Sequence, residues 1–321
     1  MRRNPSTRRP IDRSHTPARK AAHELLGTSP ATAMASLTAK RISLEVFVPR
    51  SEVGVAQLRE RLAEWVALGP TLLSVSGAPD AVTLELAQQV QQAHCVQVQL
   101  QLTDEMTVET ALEFVEQALS RGICDVLLPP GTADRTMTLV STLKARFGNR
   151  VRVAVSGLLH AAASEHAATV KQLALQVAAG AELVQCVPCF EAATVTRFVA
   201  DVRAAGVQCE VVAGVMPIRS HAELKRAARQ LSIEVPSWLQ TELRALADTA
   251  VPAYGDQLCA RLCTELMAGG VVPLVCTLNQ RDTLAMLQTA GYRPLKHRIG
   301  QALVPSLVAA SEAPVVLGAS A

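Results

Sequence analysis

The chain has 321 residues, a formal net charge of +3, 49% hydrophobic residues and only 3% aromatic ones. Its core must therefore be aliphatic, which suits a parallel sheet covered by helices, and the shortage of aromatic rings argues against a stacking platform for single-stranded nucleic acid. No apolar run approaches the ~20 residues a membrane span requires, so a soluble protein that binds no nucleic acid and spans no membrane is expected.

Residues 1–40 differ from everything after them. The opening MRRNPSTRRPIDRSHTPARK sets Arg2, Arg3, Arg8, Arg9, Arg13 and Arg19 against a single acid, Asp12. Arg-rich, Ser-containing and acid-poor composition is that of a transit peptide, which would direct the chain to the mitochondrion. Pro5, Pro10 and Pro17 oppose the amphipathic helix such peptides form. A disordered basic tail on a cytoplasmic protein is the other reading, and in both this segment lies outside the fold.

From residue 41 strands and helices alternate. Arg41–Pro49 reads as a strand, and Val55, Leu58, Leu62 and Trp65 then recur at helical spacing. Thr71–Ser76, Val96–Leu102, Asp125–Leu128, Val151–Val155, Glu182–Val187 and Gln208–Val215 are the next strands, each followed by a helical pattern. An additional helical stretch, Ser237–Ala268, precedes the last strand, Val271–Thr277, and a final helix holds Leu284 and Leu287. Strict alternation predicts parallel strands with right-handed crossovers. Eight repeats predict closure into a (β/α)8 TIM barrel spanning residues 41–294, and no GxGxxG or Walker loop supports an open doubly wound sheet. The active site should then lie at the C-terminal ends of the strands. Residues 295–321 form a C-terminal tail whose Ala302-Leu303-Val304 and Pro314-Val315-Val316-Leu317 either fold back or meet a partner.

Eight cysteines invite a metal or disulfide reading. Cys186 and Cys189 form one CxxC without a second such pair, and Cys259 and Cys263 share a helix face. Zinc needs four converging ligands, so no metal site is expected, and buried free thiols are the expectation. A redox role for the CxxC is the competing reading.

Several segments resemble methylenetetrahydrofolate reductase. Ile42-Ser43-Leu44-Glu45-Val46-Phe47-Val48-Pro49-Arg50 resembles that family's first strand, and Ser74-Val75-Ser76-Gly77-Ala78 its second. Val153-Ala154-Val155 with His160, Ala179-Gly180-Ala181, Ala213-Gly214-Val215-Met216-Pro217-Ile218, Val235-Pro236-Ser237-Trp238-Leu239 and Thr277-Leu278-Asn279 follow in the family's order, to about Pro294. The resemblance implies non-covalent FAD at the top of the barrel. It implies a hydride taken from NAD(P)H and passed to 5,10-methylenetetrahydrofolate, giving 5-methyltetrahydrofolate for one-carbon and methionine metabolism.

Opening the methylene bridge calls for an acid that protonates the leaving nitrogen, and a carboxyl with a raised pKa suits this. Glu45 stands where the family keeps its acid. Strand alternation turns it away from Leu44 and Val46, into the barrel, where burial raises a carboxyl's pKa. An interior Glu paired with a base on another strand is the structural alternative. By the same resemblance Ser76, Ala154 and His160 are cofactor contacts, and Asn279 is a substrate contact.

Other positions depart from the family. Gln101 stands where it has His, Ser156 replaces a Tyr, Leu128-Pro129-Pro130-Gly131-Thr132 replaces a loop bearing Arg and Asp, and Val187 replaces a pterin-reading Gln. On the fifth helix Thr169, Gln172, Leu175 and Gln176 take the places of Asp, Asn, Arg and Lys at the ribose and pyrophosphate. Losing two charge-assisted contacts costs about 2–5 kcal/mol. Two readings follow: a divergent FAD-dependent reductase with a folate substrate, or a catalytically inactive barrel serving as a structural or binding subunit, either as a homo-oligomer or in a larger protein complex.

Overall fold

A computed structural model describes residues 41–159, 163–231 and 233–293, and the structural statements below concern those residues. The predicted basic segment 1–40, the tail 295–321 and His160 lie outside them.

Eight parallel strands close into a barrel in chain order. They are β1 (Ser43–Phe47), β2 (Leu72–Ser76), β3 (Val98–Gln101), β4 (Asp125–Leu128), β5 (Arg152–Gly157), β6 (Ala181–Cys186), β7 (Glu210–Val215) and β8 (Val272–Cys276). Closure is made by β1 against β8, with Ser43 opposite Leu274 and Glu45 opposite Cys276. The helices are α1 (Glu52–Val66), α2 (Ala81–His94), α3 (Val108–Ser120), α4 (Ala133–Phe147), α5 (Ala163–Ala178), α6 (Ala192–Ala204), α7 (His221–Gln230), α8 (Ser237–Arg244), α9 (Val251–Ala268) and α10 (Thr283–Thr289). The (β/α)8 TIM barrel expected from the alternation is therefore the fold.

The period of two along each strand sorts side chains into two apolar bodies. Outward residues such as Leu44, Val46, Val75, Leu100, Val126, Val153 and Val184 pack against the helices. Inward residues Leu72, Leu127, Ala154, Leu183, Val212, Val272 and Leu274 form a separate plug inside the barrel. Above the plug the inward positions turn polar, and that change creates the site.

Helix starts are written into the loops that leave the strands. Ser51, Asp80, Thr107 and Ser220 each cap the helix that follows, accepting from the backbone N–H of Gly54, Thr83, Thr110 and Glu223. The single helical stretch expected over Ser237–Ala268 is instead two helices, α8 and α9, parted by a 3-10 turn at Asp248–Ala250. Pro252 gives the reason: it has no N–H to donate to a preceding turn, so it is accommodated only at a helix start.

Helix α9 reaches the loop after β7 through Gly255, where a Cβ would stand 2.0 Å from the Ile218 carbonyl oxygen. Backbone cannot withdraw as a side chain can, so the contact requires glycine. Replacing Gly255 with Ala should lower the urea unfolding midpoint by an amount corresponding to about 1–3 kcal/mol. An unchanged midpoint would show that α9 can move off the loop freely.

Candidate active site

The inward positions nearest the C-terminal mouth bring Glu45, Ser76, Gln101, Ser156, Gln185 and Cys276 around the barrel wall. Glu45 is only 7% exposed. Its Oε1 lies 3.2 Å from the Ser76 hydroxyl, and its Oε2 accepts from the Cys276 thiol. Among the described residues no basic side chain forms an ion pair with Glu45. Burial pushes its pKa above the ordinary carboxylate value, and the hydrogen bonds from Cys276 and Ser76 pull it back only in part. Burial, with the carboxyl beside it, likewise pushes the Cys276 thiol far up. Burial thus disfavours the charged form of both groups in the pair.

The same wall carries a two-rung ladder between β2 and β3. Ser74 Oγ donates to Gln99 Oε1 at 3.1 Å, and one layer higher Ser76 Oγ donates to Gln101 Oε1. Each member sits two residues from the next on its strand, so all four side chains share the interior face. Gln185 occupies the interior face of β6 opposite Ser156, 6% exposed, and its Oε1 has no hydrogen-bond partner among the described residues.

The top of β1 is fixed by the loop leaving β8. Thr277 donates to the Glu45 carbonyl twice, from its backbone N at 3.0 Å and its Oγ1 at 2.8 Å. Asn279 Oδ1 accepts from Phe47 N at 3.1 Å while its Nδ2 donates to Phe47 O. To reach this position the chain passes through two consecutive left-handed residues, Leu278 (φ 47°) and Asn279 (φ 55°). A non-glycine residue there costs about 1–2 kcal/mol. The Asn279 bonds, together with an Arg61 guanidinium donating to Asn279 O, offset that strain. Farther out, Arg219 pairs with Asp256 at 2.8 Å and donates to Gln280 at 2.9 Å, tying the loops after β7 and β8 to α9.

The residues named from the sequence therefore separate. Glu45 and Ser76 meet at the mouth. Ala154 is 1% exposed, and its methyl belongs to the plug one step below Ser156. The Asn279 amide faces the Phe47 backbone, and it bears on the site by holding the strand that carries Glu45. Sequence reasoning did not single out Cys276, Ser74, Gln99 or Gln185. The signal for Ser74 and Gln99 was available in the strands Leu72–Ser76 and Val98–Gln101, where polar residues recur at a spacing of two.

A flavin can be tested against the side chains present. Ser76, Gln101 and Ser156 offer hydroxyl and amide groups suited to the edge of a polar ring. The α5 face expected at a diphosphate does not match as well: Leu175 is 51% exposed, Gln176 is buried, and Lys171 lines a groove against α6 with His166 and Asp201. The described residues fit the ring end of the cofactor and supply no cation from α5 for its diphosphate.

No cluster of His, Cys, Asp or Glu able to hold a metal ion occurs among the described residues, and no described helix is long and apolar enough to cross a membrane. The cysteines are free; Cys186, Cys189, Cys259, Cys263 and Cys276 are buried as expected, whereas Cys209 is half-buried and Cys95 and Cys124 are exposed. Burial pushes the Cys186 thiol up and the Cys189 thiol up to about 12, which disfavours the reactive thiolate in the CxxC.

A family model described as methylenetetrahydrofolate reductase matches residues 32–291. Methylenetetrahydrofolate reductase (NADH) 1 of Arabidopsis thaliana is 28% identical over 283 residues, covering 78% of this chain and 48% of that protein. The 5,10-methylenetetrahydrofolate reductase of Salmonella typhimurium is 23% identical over 270 residues, covering 79% of this chain and 91% of that protein. The chain thus spans about half the length of the plant relatives it matches. Among solved structures, an uncharacterized Clostridium thermocellum protein that binds two copies of 5-methyl-5,6,7,8-tetrahydrofolic acid shares the fold, with a TM-score of 0.58, 9% identity, and coverage of 81% of this chain and 97% of that one.

The state of Glu45 has a consequence for stability. Its raised folded pKa means that the native chain keeps a proton the unfolded chain releases. The associated stability is fully present below the ordinary carboxylate pKa and is lost as pH rises toward the folded value. Glu45→Gln, which cannot ionise, should therefore gain on the parent chain as pH rises from 5 to 8 in paired urea melts. A constant difference across that range would show that Glu45 is ionised in the fold.

Proposed function

This chain belongs to the methylenetetrahydrofolate reductase family, and we propose that it is an oxidoreductase of folate metabolism that reduces 5,10-methylenetetrahydrofolate to 5-methyltetrahydrofolate. The observation that carries this reading is Glu45: a carboxyl buried at the C-terminal mouth of the barrel, with no ion pair among the described residues and with its pKa raised by burial. Both curated relatives described above are named as reductases, which supports the enzyme over the structural-subunit reading.

The methylene bridge opens when one carbon–nitrogen bond breaks toward nitrogen. Glu45 gives its proton to the departing nitrogen, and the carbon remains as an iminium. The carboxylate left behind is opposite in charge to that cation, so the same side chain serves before and after bond breaking. Cys276 and Ser76 hold the two carboxyl oxygens throughout, and the Thr277 and Asn279 bonds fix the backbone on either side of Glu45. Ser76, Gln101 and Ser156 are the residues we assign to the ring edge of FAD. FAD, when bound, supplies the hydride that completes reduction to the methyl group, taken in turn from NAD(P)H. With the α5 diphosphate contacts replaced, FAD should bind more weakly than four charged or polar contacts would allow, by about 30-fold or more.

A visible spectrum tests the reading. The purified chain should show flavin absorbance after incubation with FAD, and protein that stays colourless in excess FAD would overturn the proposal. With flavin bound, Glu45→Gln should keep NAD(P)H oxidation by an artificial acceptor and lose folate reduction by about 100-fold or more, the range of general acid catalysis. Equal loss of both half-reactions would remove Glu45 from the role of acid.

A further inference from the structure

The hydrogen atoms around Glu45 can be counted. Ser76 has one hydroxyl hydrogen and two acceptors within reach, Glu45 Oε1 at 3.2 Å and Gln101 Oε1. It can serve only one. Gln101 turns its carbonyl oxygen toward Ser76, and an amide oxygen only accepts, so that contact claims the hydrogen. Donation from Ser76 to Glu45 favours the carboxylate; while Gln101 takes that hydrogen, Ser76 meets Glu45 with a lone pair, and the hydrogen between them is the carboxyl's own. The lower rung has the same polarity, with Gln99 Oε1 accepting from Ser74. The other carboxyl oxygen accepts from Cys276. With the Gln101 oxygen facing Ser76, the three contacts and three hydrogens balance when Glu45 is protonated.

We propose that Gln101 is a positioning residue that keeps Glu45 in its acid form by taking the Ser76 hydrogen, so that rotation of the Gln101 amide and the charge on Glu45 change together. In the ionised state Ser76 must turn its hydrogen to Glu45, and Gln101 must rotate to offer Nε2–H to Ser76. After Glu45 has given up its proton, this rotation stabilises the carboxylate; its reversal restores the acid. Gln101 reaches Glu45 only through Ser76. The titratable neighbour from β8 is the Cys276 thiol, Ser76 and Gln101 from β2 and β3 carry no charge, and no ion pair reaches Glu45 among the described residues. The inference rests on the reading of Glu45 as the acid of the reductase, yet its test requires neither cofactor nor substrate.

The protonated carboxyl band of Glu45 can be isolated in infrared difference spectra of the full chain against Glu45→Gln and followed across a pH titration. Gln101→Leu should lower the midpoint by about one pH unit, because the freed Ser76 hydrogen then stabilises the carboxylate. In a Ser76→Ala background the same change should produce no such shift, since the coupling runs through the hydroxyl. Gln101→Met, closest in length, replaces the Leu variant if that chain does not fold. An unchanged or raised midpoint in Gln101→Leu, or an equal fall in the Ser76→Ala background, would overturn the relay. A coupled shift in a chain that cannot reduce folate would sink the reductase reading alone; folate reduction with uncoupled midpoints would sink the relay alone.

Discussion

A carboxyl buried inside a closed barrel has its charged form disfavoured by the cost of removing that charge from water. Glu45 is in that position, and the arrangement around it follows from how the barrel closes. The seam between β1 and β8 sets Cys276 beside Glu45, and the register with β2 brings Ser76 to the other oxygen. An open sheet would leave β1 at an edge, where water could reach the carboxyl and restore its ordinary pKa. Closure is thus both the architectural event and the chemical one.

The same seam accounts for the strained turn after β8. Glu45 is useful only if its strand end is fixed, and Phe47 is the last residue of β1. Asn279 satisfies both backbone groups of Phe47 with one amide, but a side chain that short reaches them only if the chain doubles back through Leu278 and Asn279 in left-handed geometry. The strain is therefore local to the residues that fix the strand carrying Glu45, a distribution typical of functional loops on a rigid scaffold.

Much of the fold was readable because the strand and helix periods differ so sharply. Asp125–Leu128 was placed to the residue, and other strand ends shifted by one or two positions, where apolar residues such as Val96 and Val271 continue a β pattern beyond the ladder. The break at Pro252 was present in the sequence, yet it lay inside a long apolar periodicity that suggested one helix. For the site, the direction of Glu45 followed from its neighbours Leu44 and Val46 alone. Cys276 did not, because its importance comes from a register across 231 residues of chain that no local pattern states. Asn279 was expected to face the substrate; only the three-dimensional path of Leu278 reveals that its amide meets Phe47.

This difference also explains why the two ends of the expected cofactor site look unlike each other. The mouth residues Ser76, Gln101 and Ser156 project from strands, and their polar groups are partly used in holding the wall itself: Ser156 donates to the Leu128 carbonyl at 2.9 Å, and Ser76 and Gln101 bind each other. Exchanging any of them for an apolar residue disturbs neighbours as well as a ligand. Leu175 stands exposed on a helix whose packing depends on other faces, such as the one bearing Val170 and Leu173. A charge can be lost from such a position at almost no cost to folding, since surface substitutions away from special contacts change stability by roughly 0.5 kcal/mol or less. Glu45, Ser76 and Gln101 are therefore tied to the barrel, while a position such as Leu175 is free of that constraint.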